Sequence, residues 1–293
     1  MKLKYYLQLM RPANLITAIA DIMAGLSLAN FAFSTETLSI QTMLFLSIST
    51  IGLYGGGVVF NDVFDAELDA IERPERAIPS GKVSKQNASI LGILLLILGI
   101  FCAFLVSFES MIIAIVVAIL ALFYDKFGKH YAILGPINMG FCRGGNLLLG
   151  MSIAVSALQN WWWIGLIPVL YIAAITMISR GEVHGGNQSV LYFAGFLYVV
   201  VSVSQIIFSY FSGNILITLP FVILHIYLIF NPLIIAIQNP IGSNIGKAVK
   251  AGVLALIVMD AAWVSVSGNY IMAIMVLLLL PLSIKVAKVF AVT

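Results

Sequence analysis

Charge is what this sequence has least of. Asp, Glu, Lys and Arg make up 9% of its 293 residues, against 61% hydrophobic residues and a mean hydropathy of +1.08. An ordinary water-soluble domain, with about 25% charged residues, is excluded. Basic runs are missing as well. The fifteen Lys and Arg are scattered through short polar stretches with no interleaved aromatics, so the net charge of +3 does not point to nucleic acid. Cysteine is nearly absent: Cys102 and Cys142 both lie in apolar runs and read as buried free thiols, which argues against a disulfide framework or a cysteine-based zinc site. There is no short-period repeat, low-complexity tract or soluble appendage, and the whole chain, 1–293, reads as one domain.

What the chain does have is apolar runs of membrane-spanning length. Ten fall near 14–33, 41–62, 88–107, 110–125, 132–154, 162–180, 189–211, 214–237, 248–267 and 270–290. Charge sidedness tests the count. With the N-terminus in the cytoplasm, fourteen of the fifteen cations fall at cytoplasmic ends or loops, and only Arg143 is left over. The opposite loops hold Glu36 and Glu109 and no Lys or Arg, so an even number of spans is expected, in a bacterial inner membrane. The first run is read as an uncleaved span, because Arg11-Pro12-Ala13-Asn14 and Asp21 place polarity where a signal core needs none. Trp161-Trp162-Trp163 reads as an interfacial anchor at the outer face.

The longest polar stretch, 61–87, follows the second span on the cytoplasmic side. Within Asn61-Asp62-Val63-Phe64-Asp65-Ala66-Glu67-Leu68-Asp69, residues Asn61, Asp65 and Asp69 stand four apart and share one helix face, with Asp62 three before Asp65. Crowded carboxylates repel unless a cation lies between them, and oxygen donors of this kind suit Mg²⁺, which in turn suits a phosphate ligand. A merely solvated acidic helix end is the alternative. Beyond it, Arg73 and Arg76 stand three apart with Lys82 close behind. Guanidinium forks suit phosphate oxygens, although the same charges also serve positive-inside topology.

Inside the apolar runs, Arg143 is the outlier, in Pro136-Ile137-Asn138-Met139-Gly140-Phe141-Cys142-Arg143-Gly144-Gly145-Asn146. A charge there needs a cavity or a partner. With Asn146 one turn on, the segment reads as a polar cavity wall, and Asp21, seven residues after Asn14 and hence on its face, is a candidate partner for Arg143. Asp260 and His225 are further ionisable groups within spans.

The segment from Asn61 to Gly81 resembles the first signature of the UbiA superfamily of membrane prenyltransferases, Asn-Asp-x-x-Asp-x-x-x-Asp followed by Arg-x-x-Arg-Pro-Leu/Ile-Pro-Ser-Gly, with Ala77 where proline is usual. Leu9-Met10-Arg11-Pro12-Ala13-Asn14 is similar to the family's approach to its first span, and Tyr124-Asp125-Lys126-Phe127-Gly128-Lys129 to its Tyr-Ser-x-x-Leu-Lys loop. The resemblance implies an all-α, polytopic membrane bundle of about nine to ten transmembrane helices around a central cavity open to the cytoplasmic side. It implies Mg²⁺ as cofactor, held with the diphosphate of an isoprenoid by Asn61, Asp65 and Asp69. Tyr124 and Lys129 would join Asp65 and Asp69 in catalysis, and Asn14, Asp62, Arg73, Arg76, Arg143, Asn146 and Arg180 would contact substrate. The expected partners are an isoprenyl diphosphate or other lipid, a small and possibly aromatic acceptor, and the membrane itself.

One departure qualifies these expectations. Where the family carries a second aspartate-rich motif, this chain has Ser179-Arg180-Gly181-Glu182-Val183-His184-Gly185-Gly186-Asn187, similar to the EboC branch of UbiA-like proteins. No aspartate stands there. Glu182 is the candidate metal ligand of this segment and His184 a candidate substrate contact, with a plain helix-terminating turn as the alternative. A non-catalytic lipid or terpenoid binder, associated with export, and a terpene cyclase are the rival functions.

Overall fold

In the computed structural model the described residues are 2–33, 39–183 and 185–290. Every regular element among them is helical. The order is α1 (Lys2–Leu9), α2 (Pro12–Phe33), α3 (Ile40–Phe64), α4 (Ala66–Glu72), α5 (Lys85–Phe104), α6 (Phe108–Lys126), α7 (Leu134–Met151), α8 (Val155–Trp161), α9 (Leu166–Ser179), α10 (Gln188–Phe211), α11 (Ile215–Gln238), α12 (Gly242–Val266), α13 (Tyr270–Leu277) and α14 (Leu279–Ala287). Single 3₁₀ turns join α6 to α7 and α8 to α9.

Nine stretches of the described residues are long and apolar enough to cross a membrane, which makes the protein an integral, multi-pass bundle. α7 is not among the nine, because Asn138, Arg143, Asn146 and its glycines dilute its hydropathy. It crosses nonetheless. Its first turns lie by the end of α6, where Asn138 Nδ2 donates to the Leu120 carbonyl at 3.2 Å. Ser152, just past its last turn, shares a 2.6 Å hydrogen bond with Ser110 at the start of α6. Eighteen residues at about 1.5 Å each carry α7 back along the length of α6. The 155–179 stretch returns, since Arg180 donates to the Tyr131 carbonyl at 2.6 Å. With α7 beside the nine, ten helical stretches run the length of the bundle among the described residues.

The helix ends sort the charges as well. The Arg11–Asp62, Lys85–Glu67, Lys129–Asp65 and Arg180–Tyr131 contacts, with the Ser283 hydroxyl donating to the Ala13 carbonyl, gather the starts of α2 and α5 and the ends of α3, α6, α9 and α14 at one face.

Small residues let the inner helices meet at backbone distance. Gly25 of α2 lies against the Leu147 carbonyl of α7, and a Cβ at Gly150 would sit 2.6 Å from the Ile22 carbonyl. α12 runs through the middle, with Trp263 fully buried, while α5, α6, α11 and α13–α14 turn large apolar side chains outward, as lipid-facing helices do. α2 and α12 pack against each other, and α2 also packs on α3 and α7, so the polar side chains of α2, α3 and α7 point into the bundle rather than at lipid.

Candidate active site at the charged end of the bundle

The helix containing the acidic motif is interrupted once, at Asp65, whose backbone (φ −86°, ψ 1°) separates α3 from α4. The four-residue spacing survives the break. Backbone hydrogen bonds run from Asp65 N to Asn61 O (3.0 Å), Asp69 N to Asp65 O (2.7 Å) and Arg73 N to Asp69 O (2.8 Å), so the residues spaced in the sequence are stacked turn upon turn. Asp62 and Asp69 are buried and Asp65 half-buried, whereas Glu67, on the other side of the turn, is exposed.

Cations meet each of the three aspartates. Arg11 Nη2 lies 3.0 Å from Asp62 Oδ1, Arg76 Nη1 bridges Asp62 Oδ1 (3.4 Å) and Asp69 Oδ2 (2.7 Å), and Lys129 Nζ pairs with Asp65 Oδ1 at 2.5 Å. Asn61 instead donates from Nδ2 to Asp125 Oδ1 at 3.0 Å. Arg11 is held with φ at 47°, a left-handed conformation that costs energy for a residue with a Cβ, at the joint before Pro12 opens α2.

Below this mouth lies a cavity of about 310 Å³. Arg11, Asn14, Asn61, Tyr124 and Asp125 line its polar end, and Leu53, Val117, Ile175, Val253 and Leu256 contribute apolar wall. The deeper polar wall comes from α2, α3 and α7. Arg143 Nε sits 2.5 Å from Asp21 Oδ2, and its Nη atoms donate to the Thr17 hydroxyl (3.1 Å) and carbonyl (2.6 Å). Asn146 donates to Asp21 Oδ2 (2.8 Å) and the Ala18 carbonyl (2.9 Å) and accepts from Thr50 (2.6 Å). The Arg143–Asp21 pairing expected from helix-face spacing is thus present. A second hollow of about 430 Å³, on the other side of Arg11, is lined by Arg11, Asp62, Arg73, Glu75 and Arg76.

The structure brings together Asn61, Asp62, Asp65, Asp69, Arg76, Tyr124 and Lys129, places Asn14, Arg143 and Asn146 on the cavity wall, and puts Arg73 in the second hollow. Arg180 donates to the Tyr131 carbonyl, with its charge close enough to act on Tyr124. Glu182 is half-buried against the start of α12. Burial raises its carboxyl above the ordinary range, with Arg73 pulling it back, and among the described residues no hydrogen bond or ion pair joins it to Asn61, Asp65 or Asp69. His184 lies outside the described residues. Two site residues were missed as candidates: Arg11 and Asp125. Both stand within quoted motifs, but their partners are 51 and 64 residues away in sequence, beyond any local spacing rule.

Residues 22–239 match the profile of the UbiA prenyltransferase family. The chain belongs to that family. Digeranylgeranylglyceryl phosphate synthase of Saccharolobus solfataricus is 36% identical over 189 residues, 61% of this chain and 62% of the relative, so the chain spans about three fifths of the length of that curated relative. Among solved structures, a UbiA homologue from Aeropyrum pernix K1 superposes with a TM-score of 0.70 at 14% identity, covering 89% of this chain and 98% of the other. A homologue from Archaeoglobus fulgidus bound to GPP and Mg²⁺ gives 0.59 at 16% identity, covering 86% and 99%. These likenesses show the UbiA fold. The first relative's name carries a glyceryl phosphate product and gives the aromatic acceptor expected from sequence no support. The likeness to the EboC branch rests on the 179–187 segment alone.

The donor set suits the Mg²⁺ seen in the A. fulgidus homologue. Asn61, Asp62, Asp65, Asp69 and Asp125 offer only oxygen to a cation, the donor type Mg²⁺ prefers. No three Asp, Glu, His or Cys among the described residues converge as a ready cage. That fits an ion that keeps several waters, takes one or two carboxylates and completes its shell with substrate phosphate.

Proposed function

We propose that this UbiA-family protein is an intramembrane prenyltransferase, which moves an isoprenoid from its diphosphate to a hydroxyl of a phosphorylated glycerolipid-like acceptor. The observation that carries the reading is the meeting of Asp62, Asp65 and Asp69 with Arg11, Arg76 and Lys129 at the mouth of a cavity with apolar walls. In the resting state these cations and carboxylates satisfy one another. An arriving diphosphate gives Arg11, Arg76 and Lys129 stronger acceptors than the aspartates, and Asp62, Asp65 and Asp69 are the residues that would then hold a divalent ion. Mg²⁺, when bound, would neutralise the charge that builds on the departing diphosphate. The fixed guanidiniums and ammonium stabilise that same charge by hydrogen bonds that need no reorganisation as it develops. Leu53, Val117 and Val253 give the isoprenoid a dry wall, which keeps water from the reactive allylic carbon.

The phosphorylated acceptor is supported by the name of the similar synthases and by the three arginines around the second hollow. The charge sidedness supports a site on the cytoplasmic face. The test is diphosphate release and product formation by the purified full chain with Mg²⁺, an isoprenyl diphosphate, and both glyceryl phosphate and phenolic acceptors. Chelation should abolish turnover. Folded protein that releases no diphosphate, with Asp65→Ala indistinguishable from wild type, would overturn the reading in favour of a non-catalytic lipid binder. The missing second acidic motif favours that rival. Diphosphate release that needs no acceptor would point to a cyclase.

A further inference from the structure

We propose that Asp125, at the end of α6, supplies an oxygen ligand to the divalent ion that accompanies the diphosphate, in place of acidity absent from the 179–187 segment. The proposal rests on the diphosphate chemistry proposed above and names a residue that the motif resemblance does not assign.

Asp125 is 5% exposed and, among the described residues, is the one carboxylate lining the main cavity, where Arg11 and Arg143 are the lining cations. Its neighbours at the mouth each hold a cation: Asp62 has Arg11 and Arg76, Asp65 has Lys129, and Asp69 has Arg76. Among the described residues Asp125 has no Lys or Arg within ion-pair distance, and its hydrogen bond is to the neutral amide of Asn61. A carboxylate so placed, reached by the charges of Lys129 and Arg11 only beyond ion-pair distance, repels an incoming diphosphate unless a cation stands between them.

The Asn61 contact carries a second implication. With Nδ2 committed to Asp125, the Asn61 carbonyl oxygen is the atom left to face an ion, so the two residues would present oxygens to the same place. Position 125 falls where the family pattern reads Ser, and the acid of the altered segment, Glu182, has no hydrogen bond or ion pair to Asn61, Asp65 or Asp69 among the described residues.

A purely structural role for Asp125 would be served equally by Asn, which can still accept from Asn61; a ligand role would not, because the charge is lost. The experiment titrates the purified full chain with Mn²⁺ at a fixed concentration of inorganic pyrophosphate and follows protein-bound Mn²⁺ by electron paramagnetic resonance. Asp125→Asn should bind Mn²⁺ about tenfold or more weakly, with its melting transition retained. In a Cys142→Ala background, Asp125→Cys should shift preference from Mn²⁺ to Cd²⁺ by more than about tenfold, because thiolate favours the softer ion. Should Asp125→Asn fail to fold, the Cd²⁺ preference decides. Mn²⁺ affinity for Asp125→Asn within about twofold of wild type, while Asp65→Ala weakens it, would overturn the proposal and leave the functional reading standing. Loss of effect in Asp65→Ala as well would remove both.

Discussion

The mouth and the middle of the bundle both carry charge, yet they handle it differently. At the mouth, Asp62, Asp65 and Asp69 keep side-chain exposures of 12%, 21% and 6% and share three cations, one of which bridges two of them. In the middle, Asp21 and Arg143 are 0% and 6% exposed and are tied by three further hydrogen bonds to Thr17 and Asn146, and Asn146 is in turn bonded to Ala18 and Thr50. Elsewhere in the interior, beside Tyr171, His225 has no hydrogen-bond partner on either nitrogen among the described residues. Partly wetted pairs exchange partners at small cost, so the mouth can hand its cations to a phosphate. The Asp21–Arg143 network cannot open without exposing a charge to hydrocarbon, so it sets the shape of the cavity.

The sharpest way to break this comparison is at Arg143. Arg143→Met strands the Asp21 carboxylate and should cost about 3–5 kcal/mol, read as a large drop in melting temperature in detergent. An unchanged melt would mean that the buried network is not structural. Asp65→Ala should do the reverse, leaving the melt nearly intact while diphosphate release falls about 10²–10³-fold. Equal losses of stability and activity would erase the distinction between the two regions. Arg76→Lys sharpens it further: Nη1 alone bridges Asp62 and Asp69, so an ammonium can keep those pairs but loses the guanidinium's other donors for phosphate oxygens, and KM for the diphosphate should rise about tenfold with the fold unchanged. The smallest effect belongs to His225→Phe. Removing unpartnered polar nitrogens in favour of a similar apolar ring should leave stability within about 1 kcal/mol or raise it slightly. A marked loss there would reveal a role for His225 that its contacts do not show.

How much of this was legible in one dimension follows from the range of each interaction. The acidic face came from four-residue spacing, which the helix preserves through its break at Asp65, and the Arg143–Asp21 pair from the rule that an intramembrane charge must find a partner. The crossing by α7 was visible as segment 132–154, although the helix is too polar for a hydropathy threshold. Asp125 is not legible in the same way, because within its own loop it looks like one more charge at a helix end.

Composition and spacing alone determined that the chain lives in a bilayer, that its cations gather at one face and that Asn61, Asp65 and Asp69 share a side, because each of these depends on residues within a few turns. Only the tertiary structure decided which cation meets which carboxylate, that Asn61 turns to Asp125, and that α2, α3 and α7 enclose a cavity beneath them. Those outcomes require helices distant in sequence to pack at backbone contact, and the packing is set by the fit of whole surfaces.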